Sequence, residues 1–176
     1  MNTELETDAA LASQGSREAF VRLMRAMEVP MYQMARAIVK KDEDCADAIQ
    51  EAMLKAFQAM PALKEPSYFR TWLFRILINE CNAILRKRNR VVPMHDLPQA
   101  ESLSQPDGSQ LDLREAVDRL EPIARTIVVL HYYNDLPLGQ IGDILEMSEG
   151  AVKTRLHRAR QTLAQWLSDT MEREGS

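Results

Sequence analysis

Residues 138–167, LGQIGDILEMSEGAVKTRLHRARQTLAQWL, constrain the fold more than any other stretch. They read as two helices joined by a tight turn. Leu138, Ile141, Ile144 and Leu145 stand at helical spacing in the first helix, which is short. The turn is Glu146, Met147 and Ser148, with Ser148 placed to cap the second helix. In that second helix Val152, Leu156, Ala159 and Leu163 share one face at about 100° per residue. Lys153, Thr154, His157, Arg158 and Gln161 share the opposite face, with Arg155 and Arg160 on its flanks. No acidic residue lies between Ala151 and Arg160. A basic, solvated surface helix is the plainer reading of that face alone. The short partner helix and tight turn favour insertion into a DNA major groove. Turns of this kind often carry a glycine, and Glu146 stands in its place.

The chain has 176 residues, enough for one domain or two small ones, and 45% are hydrophobic, so a packed core is expected. No apolar run approaches the roughly 20 residues that span a bilayer. The N-terminus, MNTELETDAALASQGS, is acidic and polar, unlike a secretory signal, which predicts a cytoplasmic protein. Cys45 and Cys81 are far apart in sequence. In a reducing compartment they read as buried thiols rather than a disulfide or metal site.

A net charge of −4 is unusual for a nucleic-acid binder. Segregation resolves it. Between residues 70 and 90, Arg70, Arg75, Arg86, Lys87, Arg88 and Arg90 face Glu80 alone. The helix after Ser148 is a second basic island. DNA responds to these local fields more than to the total.

Taken in order, residues 16–27 predict an amphipathic helix with Phe20, Leu23, Met24 and Met27 inward, interrupted by Pro30. A second helix carries Met31, Met34, Ala35 and Ile38 inward. A third, from Asp42 to about Met60, has acid at its start and an inner face of Ala46, Ile49, Ala52, Met53, Ala56 and Met60. Its outer face carries Asp47, Gln50, Glu51 and Gln58, with Leu54 among them. Leu54 is either ordinary surface scatter or the apolar centre of a docking patch.

After the loop PALKEP, residues 67–90 form the most informative helix of the first half. Phe69, Trp72, Leu73, Ile76, Leu77 and Ile84 cover one broad side, extended by Phe74, Ile78, Cys81 and Leu85. The polar remainder is a narrow stripe of Thr71, Arg75, Asn79, Asn82 and Arg86. A helix this apolar is packed on most sides, and the stripe holds residue types that reach phosphates and base edges. The aromatics at its start, Tyr68, Phe69, Trp72 and Phe74, read chiefly as core, with base stacking the second reading.

Residues 91–110 have three prolines, one glycine, three acids and no Lys or Arg, which predicts a flexible linker. At roughly 3.3 Å per residue, about twenty residues span about 65 Å. The fold class expected is all-α: two small helical domains, 1–90 and 111–176, on that tether. In the second, Leu113, Val117 and Leu120 give one helix, and Pro122 starts another with Ile123, Ile127 and Leu130 inward. Residues 169–176 are polar and expected to fray. His95, His131 and His157 are scattered without a carboxylate cluster, and no phosphate-cradling loop or activated nucleophile is visible. No enzyme activity, metal, cofactor or small-molecule substrate is expected.

Three segments together carry a resemblance. DCADAIQEAMLKAF (44–57) resembles the second-region helix of bacterial sigma factors, and FRTWLFRI (69–76) resembles the segment after it. SEGAVKTRLHRAR (148–160) resembles the fourth-region recognition helix. With no third-region domain between them, the chain resembles an extracytoplasmic-function (ECF) sigma factor over about residues 17–167. The resemblance implies sigma region 2, a linker and a helix-turn-helix region 4. It implies binding to core RNA polymerase through Asp47, Gln50, Glu51 and Leu54, and contact with the minus-ten element through Thr71, Arg75, Asn79, Asn82 and Arg86, Asn79 foremost. Residues 62–67 would hold a flipped base. Lys153, Thr154, His157 and Arg158 would read the minus-thirty-five element, with Arg155 and Arg160 on phosphates. The linker would thread the polymerase channel otherwise used by RNA. An anti-sigma partner, membrane-bound, is also implied. Ala83 and Glu146 depart from the family pattern, at a position often polar and at the turn glycine. The rival readings are a stand-alone helix-turn-helix regulator, which leaves the stripe on residues 71–82 unexplained, and a helical adaptor binding acidic protein.

Overall fold

Helix ends in the first half follow local chemistry. A computed structural model describes residues 2–91 and 113–174, and among them every regular element is helical. Helices α1 (Asn2–Ser13) and α2 (Arg17–Val39) meet at Gly15, whose φ of +105° suits glycine. The Ser16 hydroxyl accepts from the Ala19 N–H at 3.2 Å and caps α2. The sequence reading assigned no element to α1. Its apolar face is little more than Leu5, Ala9 and Ala12, too thin to stand out, yet Ala9 and Ala12 are buried and Asp8 pairs with Arg22 of α2.

Helix α2 runs through Pro30 without the expected break. Pro30 removes the donor for the carbonyl of Ala26, but Ala26 is exposed, so solvent can satisfy it. Met27 and Met31 on either side are each 1% exposed, and their burial holds the helix continuous. Helix α3 (Asp42–Ala59) starts on Asp42, Glu43 and Asp44, acid at the positive end of its dipole. Its buried line is Cys45, Ala48, Ala52 and Ala56. Ala46, expected inward, is exposed; the helix is rotated so that its smallest side chains face α2 and α4 and allow close approach. Short turns at Met60–Ala62 and Pro66–Tyr68 lead into α4 (Phe69–Val91). Phe69, Leu73, Phe74 and Leu77 of α4 pack with Leu23, Met27, Met31 and Met34 of α2 in the core, and Trp72 is half-buried. Both cysteines are buried free thiols.

In the second half, α5 (Leu113–Asp118) and α6 (Pro122–Val128) precede a single π turn, Val129–Tyr133. Leu113 and Ile123, expected inward, are 52% and 40% exposed; Ala116, Val117, Leu120, Ile127 and Val128 are buried instead. Helices α7 (Leu138–Leu145) and α8 (Glu149–Glu174) form the helix-turn-helix. Rather than fraying at residue 169, α8 continues to Glu174. The expected linker falls outside the described residues from position 92 onward.

The two halves touch. Helix α2 packs against α6 and the π turn, and α4 packs against α7. Arg125, 3% exposed, lies across this boundary. Its Nε donates to the carbonyl of Ala37 in the last turn of α2, and its Nη1 to the carbonyls of Asp118 and Leu120. Burial pushes the Arg125 guanidinium below its ordinary pKa, with Asp118 and Glu121 opposing the shift.

Candidate nucleic-acid interface

The turn between α7 and α8 is built on two backbone constraints. Glu146 caps α7 in the left-handed region (φ +56°, ψ +43°), and the Met147 N–H bonds the Gly142 carbonyl at 2.9 Å. Ser148 then accepts from the Ala151 N–H at 3.2 Å, as a cap should. Val152, Leu156 and Ala159 are buried, and Leu163 packs against the core. That fixes the rotation of α8, so Lys153, Thr154, Arg155, His157, Arg158, Arg160 and Gln161 are all exposed. Lys153, His157 and Arg158 project freely. Arg155 lies 3.8 Å from Glu121. Arg160 donates to the hydroxyl of Tyr132 and sits 5.4 Å over its ring. Tyr132 was missed in the sequence, because nothing local marks a contact 28 residues away.

The polar stripe on α4 is divided. Arg75, Asn79, Asn82 and Arg86 are exposed, whereas Thr71 is 6% exposed. Thr71 Oγ1 donates to Gln140 Oε1 of α7 at 2.8 Å. Arg75 Nη2 pairs with Glu146 Oε1 at 3.2 Å, and Arg70 Nη2 donates to the Asn134 carbonyl at 2.7 Å. Burial lowers the pKa of Arg70, with Asp135 opposing. The start of the stripe is therefore occupied by the second half of the same chain.

Asp47, Gln50, Glu51 and Leu54 are exposed together on the outer face of α3. Leu54 is 51% exposed, and Phe57, 46% exposed, extends the apolar centre one turn on. Phe57 meets Phe20 edge-on at 5.1 Å between centroids. The sequence reading left Phe57 out, though its spacing from Leu54 is a helical one.

Sigma-70 region 2 matches residues 23–91, and sigma-70 region 4 matches residues 110–163. RNA polymerase sigma factor SigV of Bacillus subtilis is 33% identical over 131 residues, 73% of this chain and 78% of its own. The chain belongs to the ECF sigma factors of RNA polymerase. ECF RNA polymerase sigma factor SigM of Mycobacterium tuberculosis is 31% identical over 156 residues, 87% of this chain and 79% of its own. As a sigma factor, the protein directs RNA polymerase to promoters for transcription initiation. Its fold is shared with CnrH, solved in complex with the cytosolic domain of CnrY: TM-score 0.68 and 24% identity, covering 94% of this chain and 98% of that one. Sigma factor RpoE of Bartonella quintana, solved with the anti-sigma factor NepR, matches at TM-score 0.68 and 22% identity, over 85% and 96%.

Among the described residues no His, Cys, Asp or Glu cluster is arranged to hold a metal ion, and no helix is long and apolar enough to cross a membrane.

Proposed function

We propose that this sigma factor works through three faces in named roles. Region 2 spans residues 1–90, the linker 91–110, and region 4 residues 111–176. Asp47, Gln50, Glu51 and Leu54, widened by Phe57, dock on core RNA polymerase. Leu54 and Phe57 supply the apolar centre and the acids and amide the polar rim. The α4 stripe, Thr71, Arg75, Asn79, Asn82 and Arg86, meets the minus-ten element, and residues 62–67 receive a flipped base. Lys153, Thr154, His157 and Arg158 read the minus-thirty-five element in the major groove, with Arg155 and Arg160 released from Glu121 and Tyr132 to hold phosphates.

The observation carrying this reading is one chain with two basic, hydrogen-bonding helix faces, α4 and α8, each backed by its own packed helices. Two weak DNA contacts become strong when polymerase fixes their spacing. The protein performs no catalysis itself and works in the cytoplasm. An anti-sigma factor, membrane-anchored, restrains it; the likeness to folds solved with CnrY and NepR supports this.

The test is transcription from the promoter upstream of its own gene, with core polymerase, with and without this protein. Start-specific transcript requiring both supports the reading. Absence of transcript together with absence of core binding would favour a stand-alone helix-turn-helix regulator.

A further inference from the structure

We propose that the resting protein is latched shut, with region 4 covering the start of its own minus-ten reader through Gln140 and Glu146. The consequence for promoter binding rests on the reading of α4 given above; the latch itself does not.

The contacts are specific and lie on one side of each domain. Thr71 bonds Gln140, Arg75 pairs with Glu146, Arg70 bonds the Asn134 carbonyl, and Arg125 caps the end of α2 from across the boundary. Thr71 and Arg75 cannot serve DNA and region 4 together. The readers are therefore unequal in this state: α8 presents its basic face to solvent while α4 presents only the later part of its stripe.

Glu146 is the telling residue. It holds φ +56°, a conformation glycine adopts without strain and a side chain rarely adopts. The helix-turn-helix has no evident need for a carboxylate there, since the turn closes through backbone atoms of Gly142 and Met147. The carboxylate instead reaches Arg75 on the other domain.

The seam is also built to release. Among the described residues, the buried side-chain atoms lacking a hydrogen-bond partner are Arg70 Nε and Asn134 Oδ1, and both lie here. Unsatisfied polar atoms keep a closed state shallow. The Arg75–Glu146 pair is largely solvent-exposed and contributes little alone. The latch is thus a sum of modest polar contacts that polymerase and DNA can outcompete. A closed population lowers apparent DNA affinity in proportion to the open fraction, about tenfold when one molecule in ten is open.

The test is small-angle scattering of the full chain, without polymerase or DNA. The wild-type protein should show a radius of gyration close to the ~16 Å of a compact chain of this length. Glu146→Lys combined with Gln140→Ala should expand it by several ångströms, because a tether of about twenty residues has a root-mean-square span of roughly 25 Å. Arg75→Glu with Glu146→Arg should return it to the wild-type value. Glu146→Gly should expand it partly, and because glycine relaxes that turn, misfolding cannot be the cause. An expanded wild type, or variants as compact as wild type, would overturn the latch. Transcription with core polymerase is read separately. Glu146→Gly should reach half-maximal transcript at several-fold lower protein concentration. Expansion without any transcript from any variant would sink the sigma roles of α4 and leave the latch standing; transcript without expansion would do the reverse.

Discussion

Gly142 and Met147 meet in the helix-turn-helix so closely that a Cβ on Gly142 would lie 2.6 Å from the Met147 carbonyl oxygen. The approach is backbone against α7, so no side chain can move aside. The glycine this turn needs is at position 142, one turn earlier than the cap position where it was sought. Gly142→Ala should therefore cost about 1–3 kcal/mol through overpacking. For a chain of this size that lowers Tm by several degrees, read by thermal unfolding. Gly150→Ala, where a Cβ meets nothing within 4 Å, is the control and should leave Tm nearly unchanged.

Lys153→Ala and Arg158→Ala should each weaken promoter use while leaving polymerase binding intact. Both side chains are exposed on α8, so the fold is not at stake. Loss of a specific base contact costs about 1–3 kcal/mol, or roughly 5-fold to 150-fold in affinity. Binding to core polymerase measured beside promoter-directed transcription checks the assignment, and loss of polymerase binding would contradict it.

Leu54→Asp should do the opposite. Leu54 is 51% exposed, so a charge there spares the core and strikes the centre of the docking face. Affinity for core polymerase should fall at least tenfold, with the circular dichroism spectrum unchanged. Unchanged affinity would remove Leu54 from the interface. Phe57→Asp is expected to act in the same direction.

Cys81 gives a prediction in pH. Burial first, then the neighbouring Cys45 and Glu80, push its thiol from the ordinary 9.0 up to about 12. The folded chain thus holds a proton that the unfolded chain gives up above about pH 9. The sign follows: this contribution to stability is complete below pH 9 and is lost as pH rises from about 9 toward 12. Denaturant midpoints should fall across that window in wild type and fall less in Cys81→Ala. At pH 8, iodoacetamide should modify Cys45 and Cys81 only after unfolding, since both are buried and both are shifted upward.

Much of the site was legible because helix periodicity is local. The rotation of α8 follows from Val152, Leu156 and Ala159 alone, and it places Lys153, His157 and Arg158 outward as read. The same logic slipped on α3, where alanines give a weak signal: Ala46 was placed inward and Cys45 carries the buried line instead. It also slipped at Pro30, where a local rule met burial of methionines on both sides. Leu113 and Ile123 lie on helices of 6 and 7 residues, too short for a period to establish a face.

What residue pattern alone determined is the all-α class, the helix-turn-helix, the basic faces on α4 and α8, and the outer face of α3. Each depends on side chains within a few turns of one another. Tertiary structure alone decided that Thr71 is covered, that Arg75 meets Glu146, and that Arg125 caps α2. Those contacts join residues 69, 71 and 88 positions apart. They are polar and leave no hydrophobic period, so only packing of the two halves brings them together.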